Sequence, residues 1–226
     1  MVSLKVIMEL KLILSKDGSH TIYREDIDET YHSRHGAIQE ALHVFIDKGL
    51  KEVEKSKKEI TILEVGFGTG LNALLTCLNS KSSINYIGLE AFPLKNTVLD
   101  ALNYNTTVIG YNSQEIFNSI HNAPWETQYP ITNFFSINKI EKEIQKFEIQ
   151  QPIDLVYFDA FGPNSQPEMW DISIFEKLYK AMSSSGVFVT YCAKGQVRRD
   201  LEKVGFVMER LEGPPGKREM LRGIKL

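Results

Sequence analysis

At 226 residues, with 42% hydrophobic and 24% charged residues and a formal net charge of −3, the chain suits one domain that buries on the order of 70% of its unfolded surface. This composition excludes a disordered polyelectrolyte. No apolar run reaches the ~18 residues of a membrane span. The N-terminal apolar stretch carries Lys5, Glu9 and Lys11 and lacks a small-residue cleavage site, so it is a poor secretory signal. Two cysteines, Cys77 and Cys192, give neither a disulfide framework nor metal-ligand spacing. The expectation is a cytoplasmic protein with no metal and no membrane partner.

In chain order, residues 6 to 14, a turn at Asp17-Gly18-Ser19 and residues 21 to 24 read as a β-hairpin, with Met8, Leu10, Leu12 and Leu14 on one face. Residues 34 to 47 read as a helix with Ala37, Ala41, Val44 and Phe45 on its apolar face and Gly49 as its stop. Residues 1–50 thus form an N-terminal hairpin and helix extension, and a charged linker at 51–59 follows. Strand, helix and strand occupy residues 60 to 90. Residues 93–150, broken by Pro93, Pro124 and Pro130, are too long for a simple crossover and read as a cap or insertion within the single domain 1–226. Ile153 to Phe158 is a nearly continuous apolar run, as a central parallel strand requires. A helix near 172–182, a turn at 183–186, a strand at 187–192 and a helix at 196–204 come next. Two strands around Gly213-Pro214-Pro215-Gly216 close the chain as an antiparallel hairpin. The fold class expected is α/β, a mostly parallel, doubly wound, Rossmann-like sheet.

The run from Ile60 to Asn72 concentrates the chemistry. An apolar strand ends in Glu64, then Gly66-Phe67-Gly68-Thr69-Gly70 turns into a helix, and a second apolar strand ends in Glu90, twenty residues after Gly70. Glycines let the backbone turn sharply and approach a ligand without a Cβ, and an acid at the end of the second strand suits ribose hydroxyls. The third glycine comes one residue earlier than in the dinucleotide fingerprint, and no P-loop lysine is present. The pattern resembles the first two motifs of class I methyltransferases that use S-adenosylmethionine.

In open α/β sheets ligands sit beyond the carboxyl ends of the strands. Asp159, directly after the 153–158 strand, therefore points to the site together with Glu64 and Glu90. Its continuation, Phe158-Asp159-Ala160-Phe161-Gly162-Pro163-Asn164-Ser165-Gln166-Pro167-Glu168-Met169-Trp170, is apolar, Pro-rich and aromatic. With Tyr31-His32-Ser33, Gly36, Gln39-Glu40, Ala123-Pro124-Trp125, Val197-Arg198-Arg199 and Gly216-Lys217-Arg218-Glu219-Met220-Leu221, it resembles the tRNA 5-methylaminomethyl-2-thiouridine methyltransferases over nearly the whole chain. These are the methyltransferase half of the bifunctional wobble-uridine modifying enzyme and its stand-alone relatives.

The resemblance implies methylation of the 5-aminomethyl group of a tRNA wobble uridine by S-adenosylmethionine, without flavin or metal. A separate flavin-dependent enzyme would act upstream. Asp159 is the expected catalytic residue, orienting the amine or taking its proton. Glu64, Gly66, Phe67, Gly68, Gly70, Asn72, Glu90 and Asp159 are the expected cofactor contacts. Ser136 lies in the stretch 134–138, which corresponds to the loop before the Asp159 strand where relatives carry an acid suited to the adenine amino group. Phe161, Pro163, Trp170, Lys194, Arg198, Arg199, Lys217 and Arg218 are expected to meet the anticodon stem-loop. From Lys194 onward nine Lys and Arg face five Asp and Glu, which makes the C-terminal end a candidate basic surface. Trp125 and Trp170 could stack on a base or anchor their loops, and His32 and His35 lack a third metal ligand. An amine methyl- or aminopropyl-transferase acting on small molecules is the alternative, and a non-catalytic nucleotide-binding module is a second one.

Overall fold

The computed structural model describes residues 10–226. Leu10–Leu14 (β1) and His20–Arg24 (β2) form the expected antiparallel hairpin, and Glu29–Thr30 (β3) adds a short third strand. The part of the hairpin assigned to residues 6–9, with Met8, lies outside the described residues. The first helix runs from Ala37–Ala41 (α1) through a π-helical stretch, Leu42–Leu50, into Lys51–Val53 (α2).

Gly49 does not stop this helix. A Cβ at Gly49 would lie 3.1 Å from Val189 Cγ2 and 3.2 Å from Tyr157 Cε1. The residue is small because the helix rests closely on the sheet there, so a residue read as a stop is a packing contact.

The main sheet contains Glu59–Val65 (β4), Ser83–Glu90 (β5), Tyr129–Thr132 (β6), Phe135–Glu141 (β7), Ile153–Phe158 (β8), Met182–Thr190 (β9), Val207–Glu212 (β10) and Glu219–Ile224 (β11). Its order is β10-β11-β9-β8-β4-β5-β7-β6. β4, β5, β7, β8 and β9 are parallel, and β6 and the β10–β11 hairpin are antiparallel additions at the two edges. The chain builds outward from β4 through β5 to β7, then returns to β8 on the other side of β4. That reversal leaves a crevice beyond the carboxyl ends of β4 and β8, where doubly wound sheets bind ligands.

Helices Leu71–Asn79 (α3), Asn96–Leu99 (α4), Tyr104–Thr107 (α5), Ser113–Asn122 (α6), Ile172–Ala181 (α7) and Gly195–Val204 (α8) complete the fold. Leu155 and Tyr157 join one apolar cluster, and Val156 and Phe158 join the other, so β8 is buried on both sides as its composition requires. The turn expected at 183–186 is an irregular part of β9, with a φ of 62° at Ser185.

β7 is the element hidden within residues 93–150, and it lies inside the main sheet. Its apolar pattern is masked by Lys139, which is buried, donates from Nζ to the His121 carbonyl at 2.7 Å and stands 5.1 Å from the centre of the Trp125 ring.

Gly49→Leu should insert a side chain where Cβ contacts are already tight and destabilise the protein by about 1–3 kcal/mol, the usual cost of overpacking. Urea denaturation checks this, and an unchanged midpoint would refute the close helix-on-sheet contact.

Candidate active site

β4 and β8 end side by side, and Asp159 N donates to the Val65 carbonyl at 2.9 Å. Gly66, at φ 91°, turns away at that point, and a Cβ on it would come within 2.6 Å of the Asp159 carbonyl oxygen. Gly68 and Gly70 also have positive φ, 50° and 71°, and Gly70 begins α3. Phe67 is turned into the fold, with its ring over Gly88 and edge-on to Trp125 at 6.2 Å. The turn is thereby fixed from below while its backbone rims the crevice.

Glu90 ends β5 and crosses to that turn. Its Oε2 accepts from Gly68 N and its Oε1 from Phe92 N, both at 2.9 Å. Burial raises its pKa, and these backbone donors oppose the rise.

Behind the crevice, the Asn72 amide nitrogen donates to Glu64 Oε1 at 2.8 Å and to Asp159 Oδ2 at 2.9 Å, while Tyr86 OH donates to Glu64 Oε2 at 2.8 Å. Serving two carboxylates turns Asn72 Oδ1 the other way, where it is buried without a partner. Glu64 is fully buried, and desolvation pushes its pKa well up. It backs the site without facing it, since both its oxygens are engaged by Asn72 and Tyr86. Asp159 does face the cavity. Burial and then the nearby Glu40 charge push its pKa up to about 7, against the Asn72 bond and the Lys217 ammonium.

The cavity measures about 570 Å³ and is walled by Gly66, Gly68, Glu90, Asp159, Phe161 and the 142–145 loop. The N-terminal hairpin forms its other wall, which sequence reasoning gave no role. Tyr31 meets the Phe161 ring edge-on at 5.0 Å and would touch a Cβ on Gly68 at 3.0 Å. Arg24 lies 5.4 Å from the Phe161 ring centre, and Ser165 Oγ donates to Glu29 Oε1 at 3.0 Å. His32 Nε2 is 2.7 Å from Thr69 Oγ1, and burial lowers its pKa to about 4. The Tyr31-His32-Ser33 run carried the signal, but without a period or spacing that could assign it.

Several expected contacts fall elsewhere. Ser136 lies level with Asn85 near the start of β7, five residues short of the carboxyl end at Glu141, and accepts from Gln128 Nε2 at 2.6 Å. Its stretch is a strand, not a loop, so residues 142–145 supply that part of the wall instead. Trp170 is an anchor: it is buried, donates to the Phe161 carbonyl at 2.8 Å and packs on Phe158. Pro163 lies outside the cavity wall. Trp125 packs beneath the glycine turn. His32 is held by Thr69 while His35 faces Gly216, and the described residues contain no His, Cys, Asp and Glu grouping fit for a metal.

The basic C-terminal end is largely paired within the protein. Arg198 bonds Glu202 at 2.5 Å, Arg199 bonds Gln196 at 2.7 Å, and Arg222 bonds Glu52 and Glu209. Lys194, which donates to Asn164 Oδ1 at 2.6 Å, Lys217, which is ion-paired with Glu40, and Arg218 line a groove that shares Tyr191 and Lys217 with the cavity.

A family model described as an S-adenosyl-L-methionine-dependent methyltransferase matches residues 126–226. The chain is 25% identical to MNMC2 from Aquifex aeolicus, with a TM-score of 0.78 covering 97% of this chain and 71% of that one. In sequence and fold the chain is similar to MnmC-type S-adenosyl-L-methionine-dependent methyltransferases. The tRNA 5-methylaminomethyl-2-thiouridine biosynthesis bifunctional protein MnmC of Marinomonas sp. is 28% identical over 89% of this chain. That of Burkholderia thailandensis is 28% identical over 96%. The chain spans about a third of the length of these curated relatives, 32% and 35% respectively.

Gly68→Val should bind S-adenosylmethionine far more weakly while remaining folded, because a β-branched residue is strained at positive φ and displaces Tyr31. Calorimetry on the folded variant is the check, and parent-like affinity would place the cofactor elsewhere.

Proposed function

We propose that the chain transfers a methyl group from S-adenosylmethionine to the 5-aminomethyl nitrogen of a tRNA wobble uridine. One observation carries this reading above the others: Asp159, a carboxyl poised at a pKa of about 7, faces the same cavity as the glycine turn and Glu90. The names of the full-length relatives, which concern tRNA 5-methylaminomethyl-2-thiouridine biosynthesis, supply the substrate.

The residues present fit the cofactor. The turn at Gly66–Gly68 offers Cβ-free backbone at the rim, Glu90 presents a carboxylate beside it for ribose hydroxyls, and the cavity volume is within the ordinary range of ligand sites. Glu143, in the loop after β7, lines the cavity and is the carboxylate there that would suit the adenine amino group. When bound, S-adenosylmethionine supplies its methyl from a sulfonium, whose carbon–sulfur bonding pair returns to sulfur as the new nitrogen–carbon bond forms.

Attack requires a neutral amine. Asp159 accepts the proton of the incoming ammonium at a carboxylate oxygen, and its raised pKa makes it a better base than an exposed aspartate. Asn72 fixes the orientation of that carboxylate, while Tyr31 and Phe161 narrow the cavity around the reacting groups. Much of the rate comes from this positioning.

The anticodon stem-loop approaches along the groove of Lys194, Lys217 and Arg218, whose cations suit phosphates without reading sequence. Arg198 and Arg199 extend that surface along α8. No helix among the described residues is long and apolar enough to cross a membrane, and a cytoplasmic setting agrees with the tRNA substrate. A flavin-dependent activity supplies the aminomethyl group.

Labelled cofactor incubated with tRNA from cells lacking the final methylation should give label at the wobble base; label on free polyamines instead would favour the small-molecule alternative.

Asp159→Asn should keep most cofactor affinity and lose roughly 100-fold or more in single-turnover methyl transfer. In the parent, kcat/KM should rise with pH through about 7 as Asp159 loses its proton, and the variant should lack this limb. The folded-state pKa is raised, so the native carboxylate costs stability as pH climbs from 3.8 towards about 7. The Asn variant should therefore melt above the parent at pH 8, with the difference shrinking towards pH 4. A parent-like rate would remove Asp159 from the chemistry.

Neutralising Lys194 and Arg218 together should weaken tRNA binding, reduce its salt slope by about one to two units and leave cofactor affinity unchanged. Identical salt series for variant and parent would place the RNA elsewhere.

A further inference from the structure

Glu40, on α1, is buried, at a position where a lone carboxylate would be costly. Its Oε1 accepts from Ser33 N at 3.1 Å, and its Oε2 is ion-paired with Lys217 Nζ. The same ammonium stands 3.9 Å from the centre of the Tyr191 ring. A carboxylate and an aromatic face are the two partners that hold an alkylammonium ion when water is excluded. Tyr191 is itself fixed, because its OH donates to the Ala160 carbonyl at 2.8 Å, one residue from Asp159. Glu40, Tyr191, Lys217 and Asp159 all wall one cavity.

We infer that Glu40 and the face of Tyr191 form the seat for the substrate's aminomethyl group in its ammonium form, and that Lys217 fills this seat in the free protein. The inference rests on the proposed amine methylation and names the residues that select the amine.

Three features favour a seat that exchanges its occupant over a permanent structural pin. The occupant is a side chain about one-third exposed, carried on the turn between β10 and β11. Lys217 also lines the adjoining groove with Lys194 and Arg218, so a displaced ammonium has a place beside incoming phosphates. The seat adjoins Asp159, whose carboxylate feels both Glu40 and Lys217, so an amine held there is next to its proton acceptor. Exchange of one alkylammonium for another leaves Glu40 compensated throughout. A neutral group such as a hydroxymethyl would leave it bare, which gives discrimination for amines.

The test uses ethylammonium as probe and Lys217→Ala and Lys217→Met as variants, each shown to be folded by thermal unfolding. Calorimetry should detect saturable ethylammonium binding to Lys217→Ala, at least tenfold weaker binding to the parent, and none once Glu40→Gln is added. In Lys217→Ala, ethylammonium should raise KM for tRNA carrying the aminomethyl group without lowering kcat. In the otherwise unaltered chain, Glu40→Gln should raise that KM about tenfold or more with a smaller change in kcat.

The inference is overturned if neither Lys217 variant binds ethylammonium, or if the ion binds without affecting KM. The calorimetric arm involves no methyl transfer. A parent that methylates no tRNA would sink the proposed activity, while calorimetry would still decide whether Glu40 and Tyr191 hold an alkylammonium ion.

Discussion

The close approach of the β4 and β8 carboxyl ends is the constraint on which the site depends. Asp159 N reaches the Val65 carbonyl, and a Cβ at residue 66 would press on the Asp159 carbonyl oxygen. Glycine at 66 is therefore a condition for joining the two strands as well as for the positive φ of the turn. Once they are joined, Asp159 faces the same crevice as the glycine turn, and Asn72 on the following helix reaches both strand-end acids. Orientation of the Asp159 carboxylate is thus inherited from the sheet, which is more rigid than a loop.

Four carboxylates, Glu40, Glu64, Glu90 and Asp159, crowd around this point, and each is accommodated differently. Glu64 receives two side-chain donors, Glu90 two backbone donors, and Glu40 an ammonium. Asp159 accepts from Asn72 and faces open cavity, so its charge is the least compensated and its pKa lies near 7. Groups whose environments separate their pKa values are the ones available for proton transfer. On the proposed reading, the same imbalance that costs stability at neutral pH suits Asp159 to act as a base.

The parallel core was legible because its strands are apolar runs closed by acids or glycines, and Asp159 and Glu90 were legible because position after a strand implies direction. What stayed hidden has physical causes. β7 carries a buried lysine whose charge is met by a backbone carbonyl and an aromatic ring, so its pattern does not read as a strand. Because that pattern conceals the strand, the sequence does not show that register sets Ser136 near the start of β7, away from the crevice. Gly49 looked like a stop because composition cannot distinguish a helix end from a helix pressed against a sheet. Trp170 is a loop anchor because its indole bonds a carbonyl of its own loop, a contact that composition does not encode.

Contacts between sequence-distant segments lay furthest beyond reach. Glu40 and Lys217 are 177 positions apart, yet they meet in one cavity wall, and Glu29 bonds Ser165 across the same mouth. The segment entering α1 and the C-terminal β10–β11 turn therefore meet at the crevice, through the Glu40–Lys217 pair and through His35 against Gly216. Polar ties of this kind exchange partners at little cost when a ligand offers equivalent groups, whereas a packed apolar seam would have to open a void. On the proposed reading, the sheet holds Asp159 in place while the wall closed by the Glu40–Lys217 pair yields to an incoming nucleotide.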